Sequence, residues 1–309
     1  MLTLEQLAGL LDNNRAAAAA KVKEFSIGGR PFAFNSRPSI MGVINLSADS
    51  WYRESVCLTT EMALRRGQTL HAQGASIVDV GAQSTLAQAA RVDEAGQNSK
   101  LIPVITGLRS AGILVSVETY QPKVAGVCLE AGANLLNLTG NEFGAEIHRL
   151  VAAHDAAVIM CYVQGPNVRQ VGDFDFSADP IGMMQDYFAR QIEIATRNGV
   201  EKIFIDPGLG FYYRNLQDSA VRVRHQMRIF LSSFRLRSLG FPVCHALPHA
   251  FEYFGEEVRC AEPFFAVLAA LGKTDLFRTH EVQRVRAVLE TMNVYSSSIR
   301  RPHRLSPAR

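Results

Sequence analysis

Residues 39–45 read SIMGVIN, a short apolar run that ends in the polar residue Asn45. Such a run is typical of a buried strand. Similar runs recur along the chain with a helix-like segment after each, and this alternation predicts a parallel sheet covered by helices. The eight predicted strands are 39–45, 76–80, 113–118, 134–138, 157–162, 202–206, 242–246 and 275–279.

Helix-like segments follow these strands at 59–73, 94–111, 121–132, 143–155, 179–199, 216–239, 258–271 and 281–293. Eight strand–helix units favour a closed α/β fold, the TIM (βα)8 barrel, over an open sheet. A Rossmann-like sheet is the alternative, but no G-x-G-x-x-G motif follows an early strand. Several predicted helices end at a glycine, which easily adopts the left-handed conformation: Gly74, Gly112, Gly132, Gly199, Gly240 and Gly272.

Two smaller segments flank the predicted barrel. Residues 1–36 are expected to form a helix over 4–22 and a hairpin over 24–34 around Gly28 and Gly29. The barrel itself is assigned to residues 37–293. Residues 294–309, rich in Ser, Arg and Pro, are expected to form a flexible tail.

Composition and charge exclude several classes of protein. The net charge is only +3 with scattered Lys and Arg, so the chain lacks the basic stripe of a nucleic-acid binder. No apolar run reaches the ~18 residues of a membrane span, and the start MLTLEQLAGLLDNN does not read as a signal peptide. Cys128, Cys161 and Cys244 lie in apolar runs, which predicts buried free thiols. We therefore expect a cytoplasmic protein without membrane or nucleic-acid partners.

Polar residues cluster where the predicted strands end, which is where barrel enzymes place their chemistry. Burying such groups without partners costs roughly a few kcal/mol each, so we expect a polar planar ligand. Carboxylates accept hydrogen bonds from an N–H-rich heterocycle, cationic side chains suit a phosphate, and the Asn45 carbonyl oxygen suits a hard cation. The candidates are Asn45, Asp79, Ser84, Thr85, Glu118, Asn137, Asp206, Phe211, His249, Arg278 and His280.

Each main candidate also has a purely structural interpretation. Buried polar groups are usually paired, so partners within the protein could account for any one of them. Their joint position at the strand ends favours a ligand. The structural alternatives are a turn or helix cap for Asp79, a turn for Asp206, backbone partners for Asn137, an ion pair with a lysine for Glu118, an ion pair with a barrel carboxylate for Arg278, and a solvated loop position for His249.

Six sequence blocks resemble the signatures of dihydropteroate synthases, in the same order. They are IMGVINLSADSW at 40–51, GASIVDVGAQST at 74–85, SVET at 116–119, ANLLN at 133–137, IDPGLGF at 205–211 and RTH at 278–280. One block alone would not be specific, but six at successive predicted strands are. The resemblance spans about residues 24–290 and is somewhat closer to the plasmid-borne sulfonamide-resistance branch, through NLSADS and FRTH.

The resemblance implies a reaction and a site. The reaction joins 6-hydroxymethyl-7,8-dihydropterin diphosphate to p-aminobenzoate, or a related aryl amine, and releases diphosphate in folate biosynthesis. It also implies a homodimer formed through the later helices. By this similarity Asp206, Asn137 and Glu118 would bind the pterin with Asp79, Ser84 and Thr85 nearby, Asn45 would bind Mg²⁺, Arg278 and His280 would contact the diphosphate, and Phe211 would lie near the amine.

The chain departs from the family pattern at the diphosphate and amine ends. Leu247-Pro248-His249 stand where the family has Ser-Arg-Lys, so His249 replaces the lysine that contacts the pterin. Residues 84–88 read STLAQ where the family has Ser-Thr-Arg-Pro-Gly, Glu118 replaces an aspartate, and residues 212–213 read YY where the family has Gly-Lys. At least two cationic donors are lost, and each is worth ~2–4 kcal/mol in a transition state.

These departures leave several functions open. The first is a true synthase with a retuned acceptor. The second is a non-catalytic pterin-binding paralogue. A pterin-dependent methyltransferase on the same barrel is the third, although nothing in the sequence marks the corrinoid partner it would need. An unrelated barrel enzyme is the last.

Overall fold

Eight parallel strands form a sheet that curls into a nearly closed barrel, which confirms the predicted fold class. The computed structural model describes residues 1–50, 52–84, 89–176, 179–211 and 213–299. The predicted site residue Thr85 and the substituted Tyr212 lie outside these ranges. The strands are β1 Phe25–Ile27, β2 Arg30–Phe32, β3 Ser39–Asn45, β4 Ile77–Gly81, β5 Leu114–Thr119, β6 Leu135–Leu138, β7 Ala157–Cys161, β8 Ile203–Asp206, β9 Cys244–Ala246 and β10 Leu276–Thr279.

The barrel strands follow chain order around the sheet. Their order is β8-β7-β6-β5-β4-β3-β10-β9, with every neighbouring pair parallel. The two end strands meet through one parallel bridge, in which the Ile205 amide donates to the Pro242 carbonyl at 3.0 Å. All eight strand ends therefore point to one mouth, where the candidate residues can meet.

Helices surround the sheet close to their predicted positions. Within the described residues they are α1 Leu4–Asp12, α2 Arg15–Ala18, α3 Thr60–Ala72, α4 Glu94–Ser110, α5 Pro122–Glu130, α6 Gly144–Ala153, α7 Pro180–Arg197, α8 Ser219–Ser232, α9 Phe251–Phe254, α10 Ala261–Leu271 and α11 Val282–Ile299. A 3-10 helix, Ser233–Leu239, continues α8. None of the described helices combines the length and apolar character that crossing a membrane requires.

Two predictions about the chain termini need correction. The single helix predicted over 4–22 is two short helices, because Asn13 and Asn14 separate α1 from α2. Asparagine competes with helical backbone hydrogen bonds and favours helix ends, which explains the break. Helix α11 continues to Ile299, so residues 294–299 are helical and not part of a flexible tail.

Five of the six glycines predicted at helix ends have a positive φ, from +73° at Gly112 to +113° at Gly74. The prediction is wrong for Gly272, where φ is −80° and Lys273 takes the positive angle instead, at +58°. A Cβ at Gly272 would lie 1.7 Å from the Phe230 carbonyl oxygen. Gly272 is therefore required by close packing between α10 and α8, and not by its own backbone angle.

The lower half of the barrel interior is an apolar plug. Side chains two residues apart on a strand share one face, so alternate residues fill the barrel. Phe204 packs against Phe25 and Phe34 of the N-terminal hairpin segment, with ring centroids 5.2 and 5.3 Å apart. The same cluster includes Met41, Ile77, Leu114, Leu135, Ala157, Cys244 and Leu276.

The next interior positions, two residues further along the strands, are mostly polar. They are Asp79, Ser116, Asn137, Asp206 and Arg278. The alternation that buries Ile77 and Leu276 thus also buries Asp79 and Arg278 one layer above them. The two-residue alternation of side chains along each strand therefore places the polar residues at the barrel mouth.

Candidate active site

Five residues form a buried network above the apolar plug, which we call the floor network: Asp79, Glu118, Asn137, Asp206 and Arg278. At its centre Arg278 donates from Nε to Asp79 Oδ2 at 2.7 Å and from Nη2 to Glu118 Oε2 at 2.6 Å. The Asp79 side chain is fully buried, and those of Glu118 and Arg278 are 10% and 17% exposed. The ion pairs offered as structural alternatives for Arg278 and Glu118 are therefore present, and the partner of Glu118 is Arg278 and not a lysine.

Asp79 also binds two polar neighbours. Its Oδ1 accepts a hydrogen bond from the Ser116 hydroxyl at 2.6 Å, and its Oδ2 accepts one from Asn137 Nδ2 at 3.2 Å. This contact orients the Asn137 amide, whose Oδ1 lies 3.6 Å from the Cys161 sulfur. Buried carboxylates need such donors, and Asp79 receives them from three different strands.

Asp206 ends β8 and is nearly fully buried, with 3% of its surface exposed. Its Oδ1 accepts a hydrogen bond from the Gly208 amide at 2.7 Å, so the turn expected at Asp-Pro-Gly is present. Burial raises the pKa of Asp206 to about 6, against the opposing effects of the Gly208 amide and of Arg278.

Glu118 has the second perturbed carboxyl of the floor network. Burial raises its pKa to about 7; Arg278 opposes this shift, while the charges of Asp79 and Asp206 add to it. Two carboxyls that titrate near neutral pH at a barrel mouth are typical of a functional site.

A cavity of about 210 Å³ lies above the floor network. Glu118 and Arg278 form part of its wall, whereas Asp79, Asn137 and Asp206 do not line it. Asp79 bonds to both Asn137 and Arg278, and the charge of Arg278 acts on Asp206, so the three residues lie beside the cavity-lining part of the floor network. The other predicted residues on the cavity wall are Asn45, Ser84, Phe211, His249 and His280.

Asn45 reaches the cavity from the end of β3. The Ser55 hydroxyl donates to the Tyr52 carbonyl at 2.7 Å, so its oxygen is left to accept from Asn45 Nδ2, at 2.6 Å. This arrangement fixes the orientation of the amide and leaves the Asn45 carbonyl oxygen without a hydrogen bond to any residue that the structure describes. An amide oxygen is a suitable ligand for Mg²⁺, so the residue fits the predicted metal role.

A second group of residues, here called the rim cluster, comprises Tyr52, His249, Glu262 and His280. His280 Nδ1 lies 2.7 Å from Glu262 Oε1, and His249 Nδ1 lies 3.4 Å from the same oxygen. The Tyr52 ring packs against both imidazoles, with its centroid 4.7 Å from each, and the imidazoles are 5.0 Å apart. The sequence reasoning predicted the two histidines but missed Tyr52 and Glu262.

His249 is not the solvated loop residue that the structural alternative proposed. Its side chain is only 11% exposed, and burial lowers its pKa to about 4 despite the opposing charge of Glu262. His249 is therefore a neutral imidazole at neutral pH. It does not supply the positive charge of the lysine it replaces.

One of the missed residues had a recognisable signal in the sequence. Glu262 is the only charged residue in the segment AEPFFAVLAAL of α10, and a lone carboxylate in an apolar helix is a candidate for a buried role. Arg169, in the loop after β7, donates to the carbonyls of Ser84 at 2.8 Å and Ala89 at 2.5 Å. It holds both ends of the loop that follows β4, where the family arginine is missing.

Comparison with known proteins identifies the family. Residues 41–239 match the family of pterin binding enzymes. The chain belongs to this family. The match supports the resemblance inferred from the six sequence blocks.

The curated relatives and solved structures that are similar to this chain include dihydropteroate synthases, which confirms the family predicted from the sequence. The dihydropteroate synthase of Synechocystis sp. is 28% identical over 274 residues, which cover 85% of this chain and 91% of the relative. That of Streptococcus pyogenes is 29% identical over 276 residues, covering 84% and 98%. The dihydropteroate synthase of Xanthomonas albilineans, solved with 4-aminobenzoic acid, has a TM-score of 0.74 at 25% identity and covers 91% of this chain and 100% of its own.

Proposed function

We propose that the chain is a dihydropteroate synthase-type transferase of folate biosynthesis. It would join 6-hydroxymethyl-7,8-dihydropterin diphosphate to p-aminobenzoate or a related aryl amine and release diphosphate. The observation that carries this proposal is the floor network, where Asp206, Asn137 and Glu118 converge around Arg278 beneath one cavity.

The floor network supports recognition of the pterin. An ionised carboxylate only accepts hydrogen bonds, so Asp206, and Glu118 above its pKa of about 7, select a ring rich in N–H donors, while the Asn137 amide can donate and accept. Since Asp79, Asn137 and Asp206 do not line the cavity, we expect a pterin that reaches them to displace the Arg278 side chain. The displaced guanidinium would then be available to the diphosphate, as the family resemblance expects.

The hard step is charge separation at the departing diphosphate. Bound Mg²⁺ would neutralise part of that charge, and the Asn45 carbonyl oxygen is the ligand this chain offers for it. Arg278 would stabilise developing negative charge, and Phe211 on the cavity wall would position the aromatic amine next to the reacting carbon.

A specific observation favours a second function, that of a non-catalytic pterin-binding paralogue. Two arginines line the cavity, and both are paired with carboxylates: Arg278 with Asp79 and Glu118, and Arg222 with Glu252 at 2.6 Å. His249 is neutral. A site with so little uncompensated positive charge could bind a pterin without expelling diphosphate.

One experiment separates the two functions. The purified protein is incubated with the pterin diphosphate, Mg²⁺ and p-aminobenzoate, and diphosphate release is followed. Release that depends on the amine supports the transferase. Tight pterin binding in calorimetry without release supports the paralogue, and neither binding nor release contradicts both.

The same proposal extends to a cytoplasmic homodimer. Phe264, Val267 and Leu271 lie on one face of α10 and are each 36% exposed or more, as an interface of later helices would require. The five cysteines are free, which suits a reducing compartment. Light scattering of the wild type and of Leu271→Glu tests the dimer, and a monomeric wild type would contradict it.

A further inference from the structure

Three side chains of the rim cluster bring metal-ligand atoms together. His249, Glu262 and His280 each offer one ligand atom, and all three atoms lie within 4.8 Å of one another. Both histidines line the cavity, while Glu262 lies behind them and is 1% exposed. Two imidazoles and one carboxylate are a ligand set that suits zinc-class divalent ions better than Mg²⁺.

Glu262 is held by its other oxygen. Its Oε2 accepts hydrogen bonds from the backbone amides of His280 and Glu281, at 2.9 and 3.1 Å, and from the Thr279 hydroxyl. Oε1 therefore faces both imidazoles. Metal ligands with supporting hydrogen bonds of this kind are pre-positioned for binding.

Both distances to Glu262 are close to those of a tetrahedral site, and the two histidine ligand atoms lie within 4.8 Å of each other. Zinc–ligand bonds of about 2.1 Å place ligand atoms about 3.4 Å apart along the edge of a tetrahedron. His249 Nδ1 is already 3.4 Å from Glu262 Oε1, and His280 Nδ1 at 2.7 Å would need to move by well under 1 Å.

One imidazole nitrogen is ready for a ligand. His249 Nδ1 is buried and forms no hydrogen bond with the described part of the chain. The tilted Tyr52 ring restrains both imidazoles, and the Tyr52 hydroxyl bonds to Glu281, which Arg259 holds in turn at 2.8 Å. An unpaired buried nitrogen costs free energy unless a ligand satisfies it.

We propose that His249, Glu262 and His280 bind one divalent transition-metal ion of the zinc class, with an open position facing the cavity. Resting on the proposed function, we further infer that a phosphate oxygen of the substrate occupies that position. In the family, a lysine at the position of His249 supplies positive charge next to the floor network. The ion would supply that charge here. Like a cationic side chain, it would stabilise charge on the departing diphosphate.

Cobalt(II) is the probe for this site, because a tetrahedral Co²⁺ ion absorbs visible light far more strongly than a six-coordinate one. The chelator-treated full-length protein is titrated with Co²⁺ in the presence of Mg²⁺, and the spectrum and stoichiometry are recorded. We expect one equivalent of Co²⁺ with a tetrahedral spectrum. His249→Ala and His280→Ala should weaken binding by at least ~100-fold, since loss even of a supporting partner costs ~10–100-fold.

Two control variants make the result specific. His154→Ala removes an exposed histidine outside the cluster, and Asn45→Ala removes the proposed Mg²⁺ ligand; both should keep the Co²⁺ spectrum. Glu262→Gln is judged only together with its unfolding curve, because Glu262 is buried. Absence of stoichiometric binding, a six-coordinate spectrum, or an unchanged spectrum in His249→Ala would each overturn the site.

The substrate part of the inference has its own readout. Inorganic diphosphate added to the Co²⁺ protein should shift the visible spectrum, and no shift would overturn the assignment of the open position. Neither measurement needs turnover. If Co²⁺ binds at the cluster but no amine acceptor gives diphosphate release, the proposed transferase function fails while the metal site stands.

Discussion

The floor network and the rim cluster lie at the same barrel mouth but are built differently. Every member of the floor network comes from the middle or C-terminal part of a strand, and two of its carboxylates, Asp79 and Glu118, share one arginine. The rim cluster takes Tyr52 and His249 from loops, Glu262 from a helix and His280 from the residue after β10. Apart from Glu118, which replaces an aspartate, the floor keeps the residue types of dihydropteroate synthases, whereas the rim exchanges a lysine for a neutral histidine.

This difference indicates that the floor network contributes more to the folding of the barrel than the rim cluster does. Strand residues cannot change without disturbing the barrel layer beneath them, so the floor network is both a binding surface and a structural unit. Loop and helix residues can change with less effect on folding. The floor should therefore contribute mainly to stability and pterin binding, and the rim mainly to turnover.

The largest effect is expected from Arg278→Met. It leaves Asp79 and Glu118 buried without their cation, and breaking a buried ion pair in this way costs ~3–5 kcal/mol. Denaturant unfolding at pH 8 measures the change in the free energy of unfolding. Arg197→Met removes a matched but exposed pair with Glu193 and should change it by less than about 1 kcal/mol. Equal losses in the two variants would mean that the floor network is not a structural unit.

Asp206→Ala should reduce the affinity for the pterin by about 100-fold or more. The variant loses a carboxylate that we expect to accept N–H bonds of the ring, and hydrogen bonds to charged groups are worth ~1.5–3 kcal/mol each. Calorimetric titration with the pterin alone measures this. Asp186→Ala, an exposed aspartate outside the cavity, is the control. Unchanged affinity in Asp206→Ala would remove the basis of the proposed function.

The floor network was predictable because its positions follow from strand period and strand end. Once 76–80 and 275–279 are read as strands, Asp79 and Arg278 are placed inside a closed barrel, and the strand ends gather Asn45, Glu118 and Asp206 at one mouth. The pairing of Arg278 with two carboxylates was only one of the alternatives, because side-chain partners across a barrel depend on rotamers that no sequence pattern fixes.

The rim cluster was only partly predictable for the opposite reason. His280 follows a predicted strand directly, but Glu262 lies 18 residues earlier in the chain, on a helix with no sequence motif. The contact depends on how α10 packs against the barrel, which close packing at Gly272 helps to set. The break at Asn13–Asn14 between α1 and α2 was also missed. It depends on the competition of asparagine side chains with helical backbone hydrogen bonds, and the neighbouring helix-forming residues favour one continuous helix.

Glu118→Gln should change how stability depends on pH. The pKa of Glu118 is raised from 4.5 to about 7, so between pH 4.5 and 7 the native state binds more protons than the unfolded state, and stability falls as the pH rises. The variant lacks this contribution, which is at most ~1.4 kcal/mol per pH unit for one group. The difference in unfolding free energy between wild type and variant should therefore change across that range. Glu61→Gln, on the exposed face of α3, should run parallel to the wild type. A parallel curve for Glu118→Gln would show that its pKa is not raised.

The smallest effect and the sharpest comparison come from His249→Lys. The variant restores the family lysine and removes a ligand of the proposed metal site. In a Mg²⁺ buffer stripped of transition metals, the lysine supplies charge that neutral His249 cannot, and diphosphate release should rise by about tenfold, a modest part of the ~2–4 kcal/mol that one such donor is worth. When Zn²⁺ is added, wild-type turnover should rise and that of the variant should not. A variant slower than the wild type in both buffers would mean that the rim is retuned around histidine for a purpose other than supplying charge.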